Sequence, residues 1–219
     1  MTGLAGRMST EETKLRETIA LHGKALYDRG LTFGTAGNIS ARVDDGWLLT
    51  PTNSCLGRLD PARIAKLDDQ GTLLSGDPPS KEAFMHRAVY EERGGAQAVV
   101  HLHSTHSVAV SCLHGIDPAN VLPPLTAYYV MKVGTLPLVP YFRPGDPALG
   151  DAIREYIAKT PAVLLANHGP VVAGKSLDDA IYATEELEET AKLFLLLQNH
   201  RTNPLTPAQI EDLHAHFPS

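Results

Sequence analysis

The stretch AQAVVHLHSTHSVAVSCL, residues 96 to 113, changes character half-way along. AQAVVHLH (96–103) is a short β-branched run of the kind that fills a buried strand, and STHSVAVSCL reads as the helix that follows it. In an extended strand the side chains of residues i and i+2 share a face. His101 and His103 therefore point the same way at a strand end, with His106 just beyond.

Outward from this stretch the same alternation recurs. Ser9 and Glu12 have capping-box spacing, and Leu15, Ile19 and Leu26 recur on one face, which predicts an amphipathic helix of about five turns that Gly30 can end. FGTAGNIS (33–40) is a turn of small residues that leads to a strand in GWLLTPT (46–52). RIAKLDDQGTLLSG (63–76) predicts two short strands around a turn at Asp68 to Gly71. PPS precedes a helix from Ser80 to about Glu92. PAVLLANHGPVVAG (161–174) is a pair of apolar strands broken at His168, Gly169 and Pro170, and Ser176 caps a long helix to about Asn199.

Strands with helices before, between and after them imply a layered domain, α/β or α+β, with α/β the expectation, and the hairpin-like turns favour a mixed, mostly antiparallel sheet over a pure βαβ series. No repeat or linker interrupts the chain, so residues 1–219 read as a single domain, with 1–9 as a flexible tail.

Composition bounds the function. An apolar content of 43% and a charged content of 20% suit a soluble globular protein. A net charge of −6 argues against a nucleic-acid or anionic-membrane surface, while leaving room for an anionic small molecule in a locally positive pocket. No apolar stretch is long enough to span a bilayer and the N-terminus lacks a signal-peptide core, so a cytoplasmic location is the expectation. Cys55 and Cys112 are too few for a disulfide framework; both read as free thiols, Cys112 as a small buried apolar residue.

Two imidazoles side by side at a strand end are a usual start to a first-row metal site, although histidine in such a place is more often a partly buried polar residue. His168, after AVLLAN and before Gly169, is the best third ligand; its alternative is a turn histidine bonded to a backbone carbonyl. Glu82 lies in the first turn of the helix after PPS. A carboxylate is favoured there by the helix dipole whatever its role, but beside a three-histidine cation it can serve as fourth ligand and proton carrier. His86, four residues on, is a weaker ligand candidate. The turns TAGNIS, TPTNS and PSK each offer small polar residues where free backbone N–H groups can wrap a phosphate, or where an ordinary loop can turn.

GTAGNIS, LLTPT, PSKEAFMH, AVVHLHSTHSVAVS and LLANHGPVVAG, in that order, resemble the class II aldolase/adducin family from about residue 11 to 200. Within it, SCLGRLDPARIAKLD, LPPLTAYYVMKVGTLPLVPYFRPGDP and ANHGPVVAGKSLDDA are most similar to the 3-oxo-tetronate 4-phosphate decarboxylases. The resemblance implies a lyase that forms dihydroxyacetone phosphate and CO₂. Sugar-phosphate aldolase or 4-epimerase chemistry is the alternative, and a non-catalytic adducin-like scaffold a third reading.

It further implies His101, His103, His168 and Glu82 as ligands of one zinc per subunit, with Mn, Co or Fe also fitting, and Glu82 as the acid/base group. Gly37, Asn38, Thr52, Asn53 and Ser80 fall on the phosphate-binding positions. Tyr128, with Tyr129 as the alternative, falls on a catalytic tyrosine donated by a neighbouring subunit of a homotetramer. Lys81 departs from the aldolases, which carry a small hydroxyl residue there; a cation beside Glu82 suits a substrate with a carboxylate, and Lys132 and Arg143 are other candidates for that contact.

Overall fold

The computed structural model describes residues 9–217. Most of the expected tail lies outside that range, but Ser9 is inside it and structured: its Oγ accepts the Glu12 N–H and caps α1 (Thr10–Asp28). Only half of the capping box forms, because the Glu12 carboxylate turns inward to Arg16 and Lys66. The helix ends at Asp28, two residues before Gly30, which takes φ +77°.

Among the described residues eight strands form one sheet: β1 (Asn38–Val43), β2 (Gly46–Leu49), β3 (Ala65–Leu67), β4 (Leu73–Ser75), β5 (Ala98–His101), β6 (Leu138–Val139), β7 (Ala162–Leu165) and β8 (Gly169–Gly174). Their order across the sheet is β4-β3-β2-β1-β5-β8-β7-β6, antiparallel except for the β6–β7 pair. This is the mixed, mostly antiparallel sheet of an α/β protein. The expected break between β7 and β8 is shifted: Ala166 to His168 make the turn, and Gly169 and Pro170 already belong to β8.

The remaining helices are α2 (Ala83–Glu92), α3 (Thr105–Ser111), α4 (Ala127–Lys132), α5 (Ala148–Ile157), α6 (Leu177–Leu197) and α7 (Pro207–His216). Alternate residues of one strand feed different cores, which is why the central strands are apolar throughout. Val99, Val163 and Val171 pack with Met85 and Val89 of α2 and Ile153 and Ile157 of α5. On the opposite face Val100 meets Ile19 of α1 and Ile181 of α6, and Leu164 meets Val110 of α3 and Leu187 of α6. No helix among the described residues is long and apolar enough to cross a membrane.

A buried carboxylate locks α3 to α6. Glu188 accepts the backbone N–H groups of His106 and Ser107 and the Ser107 hydroxyl at 2.7–2.9 Å, and also contacts the His106 ring. Burial alone would raise its pKa, but these donors hold it below the usual glutamate value. Glu188→Ala strands two N–H groups at a helix start, and is expected to cost about 2–4 kcal/mol in urea denaturation. A loss below about 0.5 kcal/mol would contradict this role. Cys112, expected in the core, is exposed: it is the C-cap of α3, just past the last buried positions, Val110 and Ser111.

Candidate metal centre and active site

β5 stops at His101, so His103 is not on the strand as expected; Leu102 turns into the core and His103 follows on the way to α3. The two rings nevertheless converge, with Nε2 atoms 3.1 Å apart. His101 shares its face with Val99, the face covered by α2. That is how Glu82, at the N-cap of α2 rather than in its first turn, comes within 3.6 Å of His101 Nε2. The β7–β8 turn delivers His168, whose Nε2 lies 3.4 Å from the other Glu82 oxygen.

Two glycines permit this closeness. A Cβ on Gly169 would stand 2.2 Å from the Leu102 carbonyl oxygen, and one on Gly37, at φ +80°, 2.8 Å from that of His101. Asn167, in the left-handed region at φ 55°, completes the turn before His168.

One donor atom from each of Glu82, His101, His103 and His168 falls in a group no wider than 4.8 Å. Four donors about 2.1 Å from a tetrahedral ion stand about 3.4 Å apart, so this set needs little movement to hold one. Burial pushes all three imidazoles below the ordinary 6.5, toward the neutral form a cation requires. His101 Nδ1 lies 2.8 Å from the Pro170 carbonyl, which fixes the proton there and leaves the Nε2 lone pair facing the cluster. The donor set fits a divalent metal.

His86 does not join it. It is fully buried between Ser40 and Asn38, outside the cluster. His106 is likewise engaged elsewhere, by Glu188.

Above the cluster opens a cleft of about 490 Å³ that includes Glu82, His103 and His168. Its walls, absent from the sequence reading, are mainly apolar: Phe33, Val108, Tyr141, Phe142 and Pro144. No Lys or Arg is among its lining residues. Lys81 is exposed and makes no ion pair among the described residues, Lys132 is held by Asp179, and Arg143 sits on the loop of the outer wall, paired with Asp146.

The small-residue turns gather beside Glu82. Asn38 Nδ2 donates to Ser80 Oγ and to Glu82 Oε2, Ser80 N–H donates to the Thr50 carbonyl, and Thr52 N–H to that of Pro78. Asn53 adopts φ 55° at the exposed tip of its turn. Of the two tyrosines, Tyr128 is 67% exposed and does not line its own chain's cleft, while Tyr129 is enclosed in the core.

The profile of the class II aldolase and adducin N-terminal domain matches residues 17–195. The chain belongs to this class II aldolase/adducin family. It is 55% identical over 192 residues to a 3-oxo-tetronate 4-phosphate decarboxylase from Cupriavidus necator, an alignment that covers 88% of each protein. The namesake enzyme from Escherichia coli K12 is 50% identical, over 92% of this chain and 96% of its own. The crystal structure of YgbL from Escherichia coli superposes with a TM-score of 0.91 at 48% identity, covering 93% of this class II aldolase chain and 99% of its own.

Proposed function

We propose that this protein is a single-domain, cytoplasmic 3-oxo-tetronate 4-phosphate decarboxylase that forms dihydroxyacetone phosphate and CO₂ in sugar-acid breakdown. The observation that carries the reading is a complete His₃Glu donor set at the base of a cleft, in a chain about half identical to decarboxylases along nearly their whole length.

The substrate is a β-keto acid, so breaking the C1–C2 bond releases CO₂ and leaves an electron pair that delocalises from C2 into the C3 ketone. His101, His103, His168 and Glu82 would hold a divalent cation, zinc in our reading, which when bound would supply Lewis-acid stabilisation of that charge. Glu82 would take up a proton from solvent water and deliver it to C2, directly or in concert with Tyr128 of a neighbouring subunit in a homotetramer. The solvent-facing Tyr128 ring is compatible with service in another subunit's cleft.

Gly37, Asn38, Thr52, Asn53 and Ser80 would seat the phosphate, and Lys81 would steer the carboxylate. The apolar wall of Phe33, Val108 and Phe142 lowers the local polarity where a charged group becomes neutral CO₂.

The test is zinc-loaded protein with 3-oxo-tetronate 4-phosphate, with CO₂ and dihydroxyacetone phosphate measured together. Equimolar formation of the two is expected. No turnover, with aldehyde release from a ketose 1-phosphate or epimerisation of a pentulose phosphate instead, would move the protein to the aldolase or epimerase branch of its family.

A further inference from the structure

Behind Glu82 runs a buried line of polar groups that the metal cluster does not use. Asn38 Nδ2 donates to Glu82 Oε2 at 2.8 Å, and the Asn38 Oδ1 faces His86 Nε2. His86 Nδ1 lies 2.7 Å from Ser40 Oγ, which lies 2.7 Å from the Tyr90 hydroxyl. Ser40, Asn38, His86 and Tyr90 are all at most 5% exposed. Strand register builds the line: Asn38 pairs with His101 and Ser40 with Val99 across β1 and β5, so both face α2, where His86 and Tyr90 sit one turn apart.

The direction of every proton in the line follows from its Glu82 end. A carboxylate ligand only accepts, so Asn38 must turn its NH₂ toward it and leave its carbonyl to His86. That carbonyl also only accepts, so His86 Nε2 must carry hydrogen. Burial drives His86 down to about 3, so the ring is neutral and its Nδ1 is bare. Ser40 must then donate to Nδ1 and accept from Tyr90.

We propose that His86 is a positioning residue for Glu82. Held as the Nε2–H tautomer by the Ser40 hydroxyl, which Tyr90 orients, it prevents the Asn38 amide from flipping. Asn38 then keeps Glu82 Oε2 fixed while Oε1, on the His168 side, remains free to move a proton. The inference rests on Glu82 as proton carrier in the decarboxylase reading.

Long-range ¹H–¹⁵N correlation spectra of the labelled, zinc-loaded protein report the His86 tautomer without substrate. The Nε2–H form is expected; the Nδ1–H form overturns the proposal. Kinetics supply the second arm. His86→Leu is expected to lower kcat by about 10–100-fold with KM within about twofold, the usual size of an outer-sphere loss. His86→Gln, which keeps an N–H donor, should recover part of it. In an Asn38→Ala background the His86→Leu effect should vanish, because the group it positions is gone.

An equally large loss in that background would mark His86 as merely structural and overturn the proposal. Should His86→Leu fail to fold, Tyr90→Phe with the spectra decides, since loss of the terminal hydroxyl should leave the tautomer but shift the Nδ1 resonance. An unmoved resonance would break the line. Absence of turnover by the zinc-loaded wild type defeats the decarboxylase reading alone, and the tautomer still decides the orientation of Asn38.

Discussion

Glu82→Gln is expected to lower kcat for decarboxylation by about 10²–10⁴-fold, the range that a positioned acid/base group contributes. The substitution preserves shape and leaves one oxygen to coordinate, but the amide can neither accept nor deliver the proton that C2 requires. Because Glu82 stands between His101 and His168, and Asn38 holds one of its oxygens, no neighbouring carboxylate in the cleft can replace it. Initial rates of CO₂ release, with metal content measured on the same samples, check the result. Activity within about threefold of wild type at full metal occupancy would remove Glu82 from the chemistry.

His168→Ala is expected to weaken zinc affinity by more than about 100-fold, beyond what loss of an outer-sphere partner costs, and to abolish turnover at equimolar zinc. His168 is the informative member of the donor set to remove because it sits on a turn with its ring partly open to the cleft, whereas His101 is fully buried and its truncation would also leave a cavity. Chelator competition gives the affinity directly. Thermal unfolding gives it independently: a cation at about 100 times its Kd stabilises the wild type by about 2.7 kcal/mol, and the variant should show little of this shift. A variant that binds zinc as tightly as wild type would remove His168 from the ligand set.

Much of the site is legible in the sequence because its parts obey local rules. His101 ends an apolar strand, His168 closes the turn after one, and Glu82 stands at a helix start. What stays unread depends on partners distant in sequence. His86 shares the helical face of Glu82, so spacing alone offers it as a ligand; only the pairing of β1 with β5 places Asn38 and Ser40 around it. The apolar cleft wall comes from Phe33 and from Tyr141 to Pro144, loops without periodicity.

The unread elements follow the same logic. β1 begins inside the small-residue turn with Asn38, and β6 is two residues between prolines. α5 carries a helical period in Leu149, Ile153 and Ile157, but it follows FRPGDP and holds Gly150, which together read as loop. Cys112 shows the limit of composition: free cysteine is usually buried, and this one is at a helix end that faces outward.

The sheet order has a consequence for synthesis. β1 to β4 are neighbours in the chain and can pair as soon as they emerge, whereas β5 gains its second neighbour only when β8 is made. His168 follows His103 by sixty-five residues (168 − 103), about 3–13 s of translation. During that interval a nascent chain exposes β5 as an open edge with three of the four donors beside it. A chain truncated before Gly169 would keep that edge and aggregate through it, so the last ligand and the closing of the sheet arrive together.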